Sequence, residues 1–168
     1  MPKIQVAILM GSKSDVPVME EALKILQEFG VSAEMRVLSA HRTPKETLEY
    51  VEKFHVQGGQ VFICGAGVAA ALAGFVASHT TRPVIGVPID TPPLNGLDSL
   101  LSTVQMPPGV PVATVSIGKA GAKNAALLAL RILGVSDPAI VKKLENYRED
   151  QKQKSLTPNS LENRSHQD

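Results

Sequence analysis

The chain has 168 residues, 43% of them hydrophobic but only 4% aromatic, with no Trp. A length of this kind is one domain with a sizeable core built from Val, Ile, Leu, Ala and Gly. Formal net charge is +1, from 17 basic and 16 acidic residues spread along the chain, which excludes the basic face of a nucleic-acid binder.

The first segment, 4–10 ("IQVAILM"), is nearly all apolar and predicts a parallel strand buried on both faces. It ends in Gly and Ser, too short for a signal segment or a membrane span, so a cytoplasmic, soluble protein without membrane contact is expected. The turn Gly11-Ser12-Lys13-Ser14-Asp15 leads into a helix over 15–30. In it Met19, Ala22, Leu23 and Leu26 keep the i, i+3, i+4, i+7 rule, Pro17 falls in the first turn and Gly30 stops the helix. A second strand (32–40) and helix (43–54) follow, with Leu48, Val51 and Phe54 or His55 on one face. The third strand is 60–65. Residues 66–79 are helical in composition but lack a polar face, as in a helix buried all round. A fourth strand (82–89), a helix near 96–105, a fifth strand (110–117), an apolar helix (122–134) and an amphipathic one (137–154) complete the alternation. From about Ser155 to Asp168 there is almost nothing to bury, and this stretch reads as a disordered tail. The organisation is one α/β domain, 1–154, with a parallel sheet and right-handed crossovers.

In such sheets ligands bind at the carboxyl ends of the strands, beside a switch point in strand order. Three strand ends carry suggestive chemistry. At the first, Gly11, Ser12, Ser14 and Asp15 precede a helix N-terminus, whose unpaired N–H groups and neighbouring hydroxyls suit a phosphate. The same residues also serve simply as a turn and cap. At the second, "SAHRTP" (39–44) sets Thr43 and Glu46 in a capping-box pattern with Pro44 at the first helical position. His41 and Arg42 therefore fall just before the cap, on the same rim. Arg suits bidentate phosphate recognition and imidazole suits proton transfer at neutral pH.

At the third, Gly65-Ala66-Gly67-Val68-Ala69-Ala70 matches G-x-G-x-x-A, with Asp90 downstream. It falls on the third strand rather than the first, so it reads as a surface that a flat ligand approaches closely, or as close helix packing. The "IGKAGAKNAA" stretch either closes a site or caps a helix. His55, His79 and His166 read as end-of-helix or tail residues. Cys64 reads as a small buried residue, and no spacing suggests a metal site or a nucleophilic Ser.

Together "MGSKSD", "SAHRTP", "GAG" before an Ala-rich stretch, "PVIGVP", "LNGLDSLLSTVQMPPGVPVATV" and "KNAALLALRIL" resemble the N5-carboxyaminoimidazole ribonucleotide mutase family over about 4–150. The resemblance implies a flavodoxin-like three-layer sandwich with a five-stranded parallel sheet, an extra C-terminal helix and a homo-octameric assembly. It implies an isomerase of purine biosynthesis that moves a carboxylate from an exocyclic nitrogen to a ring carbon through CO2, without metal or cofactor. It assigns His41 as general acid and base, with Ser12, Asp15 and Arg42 binding the ribonucleotide. Gly65-Ala66-Gly67 would line the ring and CO2 pocket, and Gly11, Ser14, Ser39 and Ala40 complete the expected site. Where mutases commonly carry His-Leu-Pro-Gly this chain has Ala71-Leu72-Ala73-Gly74, so a second active-site histidine is missing. Its "LAGFV" resembles a related branch that carboxylates aminoimidazole ribonucleotide directly, whereas Arg42 and residues 83–115 follow the mutase pattern. A non-catalytic nucleotide-binding module is the alternative from another class.

Overall fold

The computed structural model describes residues 4–156. Five parallel strands, β1 (Val6–Met10), β2 (Ala33–Val37), β3 (Val61–Gly67), β4 (Val84–Ile89) and β5 (Ala113–Thr114), lie in the order β2-β1-β3-β4-β5. This is the flavodoxin-like order, and it sets the switch point between β1 and β3. Six helices cover the faces: α1 (Val16–Glu28), α2 (Pro44–Val56), α3 (Leu72–Ser78), α4 (Leu97–Val104), α5 (Gly118–Gly134) and α6 (Pro138–Leu156).

Alternation along the strands divides the core into two layers. Val6, Ile8 and Met10 of β1 face α1 and α5, together with Val61 and Ile63 of β3. Ala7 and Leu9 face the other way with Phe62, Cys64 and Ala66, against α2 and α3. α1 seats Met19, Ala22 and Leu26 with no solvent exposure, each large side chain contributing about 1.5–3 kcal/mol. Val51 and Phe54 do the same for α2, while His55 stays exposed. α6 packs outside α5, burying Ile140 and setting the Tyr147 ring at a tilt to Phe29 with ring centroids 5.8 Å apart. Lys143 Nζ donates to the Phe29 carbonyl at 2.6 Å, which ties α6 to the end of α1.

Several predicted elements are redrawn. The third strand continues to Gly67 because Gly65, Ala66 and Gly67 pair with Val87, Pro88 and Ile89 of β4. The buried helix expected over 66–79 shrinks to Leu72–Ser78, since Val68 at φ 55° breaks the run, and Val68, Ala69 and Ala71 are exposed. The stretch 66–79 is thus strand end to Gly67, rim over 68–71, and a short helix from Leu72. The fifth strand, expected over 110–117, pairs only at Ala113–Thr114, an edge where Pro107, Pro108 and Pro111 supply no N–H donors. α5 starts at Gly118, four residues ahead of its predicted start. α6 runs to Leu156, beyond residue 154, so the predicted tail is helical at its first two residues and otherwise lies outside the described residues.

Candidate active site

The carboxyl ends of β1 and β3 and the β2–α2 turn enclose a cleft of about 320 Å³. Its first wall follows β1 directly. Gly11 N–H donates to Gly65 O at 3.3 Å, holding the two strand ends together where their connections part. Ser12, extended at φ −148°, opens a single 3-10 turn over Lys13–Asp15. The Asp15 carboxylate accepts from Ser12 N–H at 3.0 Å, and Ser12 Oγ accepts from Ser14 N–H at 3.3 Å, so the capping box forms here. Ser14 Oγ lies 2.9 Å from Ser12 Oγ and 3.2 Å from Asp15 Oδ1, and its single hydrogen serves one of them at a time. Two hydroxyls and a carboxylate therefore share one small network. Asp15 is buried, and its burial pushes the carboxyl above the usual carboxylate range, against the opposing pull of the Ser14 hydroxyl, the Ser12 N–H and Arg42.

The second wall is the turn 39–43. Thr43 is the N-terminal cap position of α2, but its hydroxyl makes no cap bond, contrary to the capping box expected with Glu46. Thr43 Oγ1 instead points back into the turn, accepting from Ser39 N–H at 2.9 Å and donating to Ser39 O at 3.2 Å. That closes the turn and fixes what it carries. Arg42 N–H donates to Ser39 Oγ at 3.2 Å, and the Arg42 guanidinium reaches across to the Gly11 carbonyl at 2.5 Å. The cation is thereby held against the β1 turn, with donors left over for a ligand. His41 occupies the exposed tip between them and lines the same cleft.

The third wall is made of small groups. Ala66 and Gly67 end β3, and the loop 68–71 continues the lining to Leu72, with Thr91 beyond β4. A Cβ on Gly67 would stand 3.3 Å from Thr91 Cγ2 and 3.5 Å from Ile89 O, so this close approach of strand and loop favours glycine. Thr91 Oγ1 is buried without a hydrogen-bond partner.

Of the sequence-predicted residues, Gly11, Ser12, Ser14, Asp15, Ser39, Ala40, His41, Arg42, Ala66 and Gly67 converge on this cleft. Gly65 stands behind it: a Cβ there would meet Met19 Sδ, Cγ and Cε, on the α1 side of the sheet. Thr91 also lines the cleft, as does Val68 from within the G-x-G-x-x-A stretch. No polar motif marks Val68, and Thr91 shows itself only by following the fourth strand end. Asp90, which a dinucleotide fingerprint would need, lies in a separate depression with Asn95, Gly118 and Lys119. Of the other histidines, His79 sits with Nδ1 2.8 Å from the Phe75 carbonyl at the end of α3, and His55 lies beside it in another depression. His166 lies outside the described residues.

A cleft with hydroxyls at one end, a tethered cation, an exposed imidazole and a small apolar wall has the groups that a phosphorylated substrate undergoing proton transfer would need. The family model described as AIR carboxylase matches residues 5–154. An N5-carboxyaminoimidazole ribonucleotide mutase of Pyrococcus horikoshii is 60% identical over 149 residues, 89% of this chain and 83% of that one. One of Bacillus subtilis is 55% identical over 151 residues, covering 90% and 93%. The crystal structure of Treponema denticola PurE superposes with a TM-score of 0.85 at 32% identity, over 95% of this chain and 99% of that one. The chain belongs to the AIR carboxylase family, among relatives that are N5-carboxyaminoimidazole ribonucleotide mutases.

Proposed function

We propose that this chain is an N5-carboxyaminoimidazole ribonucleotide mutase, an isomerase of purine biosynthesis acting in the cytoplasm as one catalytic domain, 1–154, with an appended tail. The carrying observation is that His41 and Arg42 share one cleft with the Ser12-Ser14-Asp15 network and the small-residue wall from Ala66 to Ala71. Relatives bearing the mutase name support the same reading.

In this reading the substrate phosphate lies against Arg42 and the Ser12 and Ser14 hydroxyls, where charge-assisted bonds orient it. Asp15 accepts from the ribose hydroxyls, leaving the imidazole ring beside His41 and the Ala66–Gly67 strand end. His41 gives a proton to the exocyclic nitrogen as its bond to the carboxylate breaks, which yields an amine and CO2. Ring carbon 4 then attacks CO2, and His41 takes back the proton that carbon 4 loses. Each proton given is recovered, so the step is an isomerisation with no net change in protons. A small, water-poor wall is what keeps CO2 beside the nucleophilic carbon. No metal or cofactor enters this sequence. We also assign the homo-octamer to this chain, on its likeness to the family.

The test offers purified protein N5-carboxyaminoimidazole ribonucleotide, or aminoimidazole ribonucleotide with bicarbonate, and follows 4-carboxyaminoimidazole ribonucleotide. Efficient turnover of the first is expected. Turnover of the second alone would overturn the mutase reading in favour of direct carboxylation, a reaction to which Ala71 in the cleft wall and the run 72–76 lend support. Turnover of neither would leave a binding module.

A further inference from the structure

Val68 has a conformation that its residue type resists. It follows β3 at φ 55°, in the left-handed region, where a β-branched side chain is a steric outlier. The other non-glycine residue there among the described residues is Asn95, a type that tolerates the region. A tight turn holds Val68 in place, with Ala70 N–H donating to Val68 O at 2.9 Å. Such strain is ordinarily offset by core packing, yet Val68 is 57% exposed. It lines the cleft that holds His41, where its neighbours are Gly67, Ala69, Ala70 and Ala71. Leu72, the other bulky apolar residue of that wall, is buried at 2% exposure. Val68 is therefore the one exposed bulky apolar group at the small-residue wall.

Backbone strain that packing does not explain, located at a site, points to a role in the site. Resting on the mutase reading above, we propose that Val68 is a positioning residue that retains CO2: its isopropyl group shields the carboxyl-transfer pocket from water. The shield matters only between two events. After the nitrogen–carboxylate bond breaks and His41 has protonated the amine, CO2 either accepts attack by ring carbon 4 or escapes. Escape leaves aminoimidazole ribonucleotide and CO2 as products, with atoms and protons balanced in both branches. Glycine at position 68 relieves the backbone strain and removes the shield, so stability and retention should move in opposite directions.

The experiment supplies substrate labelled with ¹³C in its carboxylate to the full chain and to Val68→Gly and Val68→Ala, in unlabelled bicarbonate. It measures the share of turnovers ending in labelled product and the share ending in free aminoimidazole ribonucleotide. Val68→Gly should raise the escaping share at least about threefold while its melting temperature rises by about 2–4 °C. Val68→Ala should escape to an intermediate extent, since it keeps Cβ and loses the outer methyls. A merely structural role would lower overall rate and leave the partition unchanged. Equal partition in all three proteins would overturn the inference while leaving the mutase reading intact, whereas wild-type protein that does not consume the substrate would overturn both.

Discussion

Gly65→Ala separates scaffold from site at the switch point between β1 and β3. A methyl on Gly65 would stand 2.4 Å from Met19 Sδ, 2.9 Å from Cγ and 3.0 Å from Cε. Relaxed carbon contacts lie at about 3.5–4.0 Å, so the end of Met19 must withdraw by roughly 1 Å. Met19 is fully buried with Met10 and Ile63 in the layer beneath α1, and it has little room to withdraw. Overpacking of this kind costs about 1–3 kcal/mol, a fall in melting temperature of about 2–4 °C per kcal/mol for a chain of this length. Because Gly65 faces α1 and not the cleft, KM should change by less than about twofold. The strongest version is a double-mutant cycle with Met19→Ala, which alone costs about 2–5 kcal/mol by leaving a cavity. The added methyl then occupies vacated space, so the pair should cost less than the sum of the singles by about 1–3 kcal/mol. Urea unfolding at fixed protomer concentration measures all four proteins. Strict additivity, or a large rise in KM with stability unchanged, would refute the packing argument and return Gly65 to the site.

Asp15→Asn tests the buried carboxylate. Because the Asp15 pKa is raised on folding, its contribution to stability is full below the unfolded carboxylate pKa and is lost as pH rises through the folded value. The melting temperature of Asp15→Asn relative to wild type should therefore climb as pH rises above the unfolded carboxylate pKa of about 4, and a flat difference would contradict the burial argument. Arg42→Ala should raise KM about 10–100-fold, the range for losing a charged hydrogen bond to phosphate, with stability changed by less than about 1 kcal/mol because the side chain is exposed. An unchanged KM would remove Arg42 from phosphate binding. Gly121→Ala sets a Cβ against the Ser116 carbonyl oxygen, a backbone atom that cannot swing aside. It should cost more than about 3 kcal/mol, visible by circular dichroism as lost cooperative unfolding, and wild-type stability would contradict the local geometry.

Much of the architecture follows from patterns visible in single segments. The unbroken apolar run of β1 and the spacing of Met19, Ala22 and Leu26 suffice to place a buried strand and the helix packed on it. The rim residues were legible for the same reason, because a strand end followed by a helix start locates a side chain at the carboxyl edge. Tertiary effects account for what was not. Thr43 and Glu46 have the spacing of a capping box, but the Thr43 hydroxyl is taken by both backbone groups of Ser39. Composition also misleads between Gly65 and Ala71, where the absence of charge reflects a tight rim and not a buried helix. Val68 lies inside the G-x-G-x-x-A stretch, but nothing in the sequence marks a role of its own, since its distinction is a dihedral angle and not a chemical group. Sequence proximity groups Gly65 with Gly67, and the two share one face of β3, but Gly65 lies over Met19 whereas Gly67, two residues nearer the strand end, lies against Thr91 at the cleft.

The central claim is that His41 carries the proton in a cleft whose binding groups are Arg42 and the Ser12-Ser14-Asp15 network. His41 is exposed at the tip of its turn, so His41→Asn removes the exchangeable imidazole proton without disturbing the core. The most direct measurement is single turnover of N5-carboxyaminoimidazole ribonucleotide by wild type and His41→Asn, with substrate binding measured alongside. The account predicts a rate about 10²–10⁴-fold lower with affinity retained. A wild-type rate in His41→Asn would contradict it.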